Sequence, residues 1–150
     1  MGQTLVQNYI HITFSTKNRM RFIKQHRQEA IFSYLASLCN KKKCQVIKVG
    51  GYEDHIHILC LLAKDITLVD LMRFIKTNSS KWIKGKYPEL EFFSWQEGYG
   101  SFSINPQQVE VVVKYIENQN NHHANISYQE EFLAFLKKYN VKYDERYIWK

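Results

Sequence analysis

Disulfide chemistry is the first thing this sequence does not support. Cys39, Cys44 and Cys60 are odd in number and contain no CxxC pair, which argues for reduced thiols over a disulfide framework or a zinc knuckle. Proline occurs twice and glycine six times, with no repeat, low-complexity tract or linker. One domain over residues 1–150 is therefore expected, with 123–150 as a C-terminal helix and tail. The longest largely apolar stretch, Ile56 to Ala63, is far too short to cross a bilayer. Residues 1–15 lack the basic start, apolar stretch and small-residue cleavage site of a secretory signal, leaving the cytoplasm as the expected compartment.

Negative charge is also scarce. No acidic residue precedes Glu29, while Lys17, Arg19, Arg21, Lys24 and Arg27 crowd that same segment. Lys41, Lys42 and Lys43 form a second basic block, and Arg73, Lys76, Lys81, Lys84 and Lys86 a third, within a net charge of +7. Phe22, Phe74, Trp82 and Tyr87 are interleaved with these cations. Cations that meet phosphates, beside rings on which unpaired bases stack, suit a nucleic acid. Solvated helix faces would explain any one cluster alone.

Residues 4–15 are rich in β-branched and aromatic side chains and read as a strand. From about Gln25 to Lys43, Ala30, Ile31, Tyr34, Leu35 and Leu38 recur at helical spacing. CQVIKVGGYEDHIHILCLL reads as two antiparallel strands around Gly50-Gly51. Thr67, with Asp70 three residues on, caps a helix that runs towards Lys86 and is closed by Pro88. FFSWQEGYGSFSI, 92–104, reads as a strand pair or a bulged strand. Asn105 and Pro106 start a helix in which Gln108 can complete a capping box. Glu131 to Tyr139 reads as a last helix, and Tyr147, Ile148 and Trp149 are expected to dock. This order predicts an α+β fold: a ferredoxin-like split βαβ antiparallel sheet with helices on one face, and a catalytic helix beside the open face.

Within DHIHILC, His55 and His57 lie two residues apart on a strand. Their imidazoles therefore project to one side, about 6.5–7 Å apart at Cα, and can reach one cation. Ile56, Ile58 and Cys60 would pack under the helices on the other side. Six histidines in 150 residues put such a pair in roughly one chain in four by chance, so two partly exposed structural histidines remain an alternative. A metal site needs a third ligand. In QVEVVVKYIENQNNHH, Val109, Val112, Val113 and Ile116 form a docking stripe. Tyr115 and Gln119, one turn apart, share its flank about 40° from each other. A neutral Gln oxygen beside two imidazoles suits Mn²⁺ or Mg²⁺ with waters retained.

Taken together, HITFSTKNR, DHIHILC, WQEGYGSFSI and KYIENQ resemble the HUH single-tyrosine transposases of insertion sequences that move as single-stranded DNA, and the related REP-associated tyrosine transposases. The resemblance implies a metal-dependent transposase with Tyr115 as nucleophile, forming a 5′ phosphotyrosine, and with His55, His57 and Gln119 holding Mg²⁺ or Mn²⁺. It implies single-stranded DNA with hairpin ends as partner, with Lys17, Arg19, Arg21, Lys76, Lys81 and Lys84 as candidate phosphate contacts. It also implies a homodimer in which the tyrosine helix can serve the partner's histidines.

Two other readings compete. The same fold can serve as a non-catalytic binder of single-stranded or hairpin nucleic acid. A zinc hydrolase would use the same histidines, but HExxH and HxHxDH are absent and no carboxylate is expected beside the pair, Asp54 falling on the opposite face.

Overall fold

The computed structural model describes residues 2–150. β1 (Tyr9–Ser15), β2 (Val46–Tyr52), β3 (His55–Leu61) and β4 (Gly100–Ser103) form one antiparallel sheet in the order β2-β3-β1-β4. The crossovers are α1 (Gln25–Lys41) and α2 (Leu68–Lys86). This is the split βαβ arrangement expected from the sequence, with the central strands β1 and β3 paired Thr13 to His57 and Ser15 to His55.

Strand alternation divides the sheet into two chemistries. Ile10, Ile12 and Phe14 of β1 and Ile56, Ile58 and Cys60 of β3 point to one face. There they form the main core with Ile31 and Leu35 of α1 and Leu71 and Ile75 of α2. α2 begins where Thr67 Oγ1 accepts the Asp70 amide at 3.1 Å, and Lys84 and Lys86 complement the dipole in its last turn. No helix among the described residues is long and apolar enough to cross a membrane.

The opposite face carries His11, Thr13, His55, His57 and Leu59, and it is not open. α3 (Val109–Glu117), the short α4 (Gln119–His122) and α5 (Tyr128–Lys138) close over it. Val109, Val112, Val113 and Ile116 pack on Leu59 and Ile104 as the stripe predicted. Gly50 lets α3 approach closely: a Cβ there would lie 2.6 Å from Ile116 Cγ2 and 3.0 Å from its carbonyl oxygen.

The first strand begins at Tyr9 and not at residue 4, and three further local expectations change. The 92–104 segment supplies only the four-residue β4 and a single bridge from Trp95 to Thr16. Its irregular part is held instead by Gln96, whose Oε1 accepts from the Ser15 amide at 2.8 Å. Asn105 caps a single 3-10 turn, Pro106–Gln108, accepting from the Gln107 amide at 2.9 Å, before the α-helix starts at Val109. In the tail, Ile148 and Trp149 pack beside Phe132, but Tyr147 stays exposed. Lys150 O accepts from the Gly98 amide and Gln96 Nε2 at 3.2 and 3.3 Å.

Candidate active site

Because β3 alternates, His55 and His57 both enter the closed face, and both are completely buried. His55 Nδ1–H donates to Asp54 Oδ1 at 2.7 Å, and its Nε2 lies 2.8 Å from Gln119 Oε1. Asp54 therefore does stand beside the pair: it sits in the β2–β3 turn, outside the alternation that would have sent it to the other face. His57 Nδ1 meets His11 Nε2 at 2.8 Å, and its own Nε2 meets Glu131 Oε1 at 3.0 Å.

Gln119 and Tyr115 reach the same space although the helix breaks between them. Asn118 leaves the helical path, and Gln119 starts α4. The Gln119 amide donates to Glu131 Oε2 at 3.0 Å, which turns its oxygen towards His55. The Tyr115 hydroxyl donates to Glu131 Oε2. All four residues singled out as ligands or nucleophile thus meet within one chain.

The sequence reading missed the centre of this cluster. Glu131 is buried at 2% exposure, and its ion-pair partners are all histidines: His55, His57, His122 and His123. It occupies a position in the buried stripe of α5 between Tyr128, Phe132 and Leu136. A carboxylate in an apolar stripe was the available signal. His122 and His123 add ring nitrogens 3.5 and 3.1 Å from Glu131. The His123 ring is oriented by donating from Nδ1 to the Ile126 carbonyl at 2.6 Å.

Electrostatics follow from this packing. Burial opposes charge on His55, but Asp54 and Glu131 outweigh it and push its pKa up to about 9. Burial also raises a carboxyl, yet the surrounding imidazoles hold Glu131 below the usual carboxylate range. Burial, with His57 adding to it, takes His11 down to about 3, so His11 is neutral and serves as a hydrogen-bond partner. Burial and the Glu131 carboxylate together push the Tyr115 phenol up. The groups with donor atoms fit a divalent cation: His55, His57 and Glu131 offer atoms within 4.8 Å of one another, and Gln119 adds an amide oxygen. No cysteine takes part in such a group among the described residues, and all three thiols are free and buried.

A cleft of about 260 Å³, lined by Tyr115, His122, Ile126, Glu131, Ala134, Phe135 and Lys138, leads to the phenol. Of the candidate phosphate contacts, Lys17 and Arg21 are exposed after β1, at the His55 end of the sheet, with Arg21 over the Tyr52 ring. Arg19 donates to the Trp149 carbonyl at 3.2 Å. Lys81 and Lys84 are exposed on α2, across the sheet from the histidines. Lys76 does not belong with them. Its ammonium donates to the carbonyls of Gln96, Glu97 and Gly98 at 2.8, 3.0 and 2.6 Å, and burial takes its pKa down to about 8. It holds a loop.

Residues 4–119 match the family described as IS200-like transposases. The chain belongs to that family, the HUH single-tyrosine group. It is 27% identical over 82 residues to the transposases for insertion sequence element IS200 of Salmonella typhimurium and Salmonella typhi, a match covering 55% of this chain. The chain spans about half the length of these curated relatives, 54%. Its fold resembles a candidate transposase from Deinococcus radiodurans R1 (TM-score 0.65, 18% identity, 79% of this chain and 96% of that one). It also resembles a REP-associated tyrosine transposase solved bound to a REP hairpin (TM-score 0.60, 15% identity, 84% and 74%).

Proposed function

We propose that residues 1–150 form one catalytic unit that cleaves and rejoins single-stranded DNA through a 5′ phosphotyrosine at Tyr115. The observation that carries this reading is the meeting of the Tyr115 hydroxyl, both imidazoles and the Gln119 amide in one buried cluster at the end of a cleft. Tyr115 Oη forms the new bond to phosphorus while the bond to the 3′ oxygen breaks, and the proton lost by the phenol is balanced by the proton that turns the departing 3′ oxygen into a hydroxyl. A free 3′ hydroxyl reverses the step and rejoins DNA. The phosphodiester count is conserved, so no ATP is required.

His55, His57 and Gln119 would hold Mg²⁺ or Mn²⁺, which when bound supplies charge neutralisation at the non-bridging phosphate oxygens. Asp54 fixes the His55 ring through Nδ1, and His11 does the same for His57. The REP hairpin carried by one structural neighbour supports a hairpin-ended single strand as substrate. Lys17, Arg19, Arg21, Lys81 and Lys84 are proposed to contact its phosphates, and a homodimer is the proposed assembly.

The test is incubation of labelled hairpin-ended single-stranded DNA with the protein and Mn²⁺ or Mg²⁺. A protein band carrying the label is expected, absent in Tyr115→Phe while hairpin binding is retained. Equal covalent yield from that variant would remove Tyr115 as nucleophile. Binding without any adduct in the unaltered protein would favour a non-catalytic hairpin binder.

A further inference from the structure

We propose that Glu131 is a fourth, anionic ligand of the divalent cation, delivered by α5 to join His55, His57 and Gln119. This inference rests on the proposed reading of those three residues as ligands. Glu131 Oε1 lies 3.0 Å from His57 Nε2 and 3.3 Å from His55 Nε2. Its Oε2 receives the Gln119 amide at 3.0 Å, which fixes the Gln119 oxygen 2.8 Å from His55 Nε2. Two oxygens without protons and two imidazole nitrogens therefore converge on one buried volume.

The convergence calls for a shared positive charge, a proton on His55 Nε2 or a metal ion in its place. His55 commits its Nδ1 proton to Asp54, so its Nε2 faces two acceptors, Gln119 Oε1 and Glu131 Oε1. Acceptors aimed at acceptors repel unless a proton or a metal ion lies between them. No lysine or arginine pairs with Glu131 among the described residues, so the carboxylate has no permanent positive partner. Its present partners are neutral donors, Tyr115 and Gln119, and titratable imidazoles. A metal ion is a permanent partner.

Glu131 also lies beyond the family match, which ends at residue 119. The fourth ligand thus comes from the C-terminal helix of this chain, outside the segment that carries the histidine pair and Gln119. Two nitrogens, one amide oxygen and one charged oxygen favour ions that accept imidazole, Mn²⁺ or Zn²⁺, over Mg²⁺. Cation binding then also ties α5 to the sheet.

Calorimetric titration of the full chain with MnCl₂ tests the assignment. Glu131→Gln is expected to weaken Mn²⁺ affinity at least tenfold and Glu131→Asp by less, with Mg²⁺ weaker than Mn²⁺ on the unaltered protein. A Glu131→Gln protein that binds Mn²⁺ as tightly or more tightly overturns the proposal, because that is the behaviour of a carboxylate that merely fills the site and competes with the ion. Should the variant not fold, anomalous diffraction from the unaltered protein soaked in Mn²⁺ decides. A Glu131 oxygen at about 2.0–2.6 Å from the ion supports the ligand role. A carboxylate that stays at hydrogen-bond distance from the histidines, or turns away, ends it. If the unaltered protein binds no divalent ion, the ligand reading of His55, His57 and Gln119 falls too. If binding is lost in His57→Ala but unchanged in Glu131→Gln, only Glu131 is removed.

Discussion

His55 has an acidic oxygen on one side and two oxygens on the other, and this makes its charge a stability term. Its folded pKa, raised to about 9, lies above the ordinary histidine value of 6.5. A raised base contributes stability that is fully present below the unfolded pKa and is lost as pH rises through the folded one. In chelator, His55 alone should therefore contribute about 2 kcal/mol less at pH 8 than at pH 6.5, equivalent to roughly 4–8 °C in Tm. Lys76, taken down to about 8, and His11 and His57, both lowered by burial from the ordinary histidine value, act in the opposite sense within the same window, so the His55 contribution is read as the difference between the unaltered protein and a His55 variant. Calorimetric scans with EDTA should show the Tm advantage of the unaltered protein over His55→Gln shrinking from pH 6.5 to 8. With saturating Mn²⁺ the sign is expected to reverse, since an ion held by the proposed ligands would displace the His55 proton and bind better as pH rises. A metal-free Tm difference between the two proteins that stays constant or grows from pH 6.5 to 8 would mean that His55 is not the charged member of the cluster.

The elements differ in how much of their placement is written locally. β1, β3, α1 and α2 were legible because each carries one period, two or 3.6, over several turns or pleats, and because Thr67 and Pro88 mark the ends of α2. The site was legible in its strand half, His55 and His57, and in the Tyr115 and Gln119 pair. The closed face was not, because it is completed by α5, whose buried glutamate lies 74 residues from His57 and reaches the site only through tertiary packing. Nor does helical spacing show that Asn118 interrupts the helix, or that Asp54 turns out of the strand alternation. Gly50 ties the two halves together, since α3 reaches β2 through it. Gly50→Ala should push Ile116, and Tyr115 beside it, away from the sheet at a cost of about 1–3 kcal/mol. Urea unfolding measures this. Ile116→Ala removes the Cγ2 atom nearest to the added methyl, so the double variant should lose less than the sum of the two single losses. Strict additivity would show that the close approach is not what Gly50 protects.

Across the whole molecule the candidate phosphate contacts are divided between two surfaces. The loop after β1 brings Lys17 and Arg21 to the His55 end of the sheet, while Lys81 and Lys84 stand on α2 behind it. DNA touching both would have to pass around the sheet, so these groups should report on phosphate binding independently. Removing one phosphate-neutralising cation lowers the slope of log affinity against log salt by about 0.7 for a single strand and 0.9 for a duplex stem. Lys81→Ala combined with Lys84→Ala should thus reduce the slope for hairpin DNA by about 1.4–1.8 and leave Tm unchanged. Lys76→Met should do the reverse. Three carbonyls of the 96–98 loop lose their charged donor, costing about 1–3 kcal/mol, while the slope stays as it was. Filter-binding titrations over a salt series, run beside thermal melts of the same variants, separate the two roles. A Lys76→Met protein with unaltered Tm and a slope reduced by about 0.7–0.9 would return Lys76 to the DNA surface and leave the loop to be held by its bonds to Ser15 and Lys150.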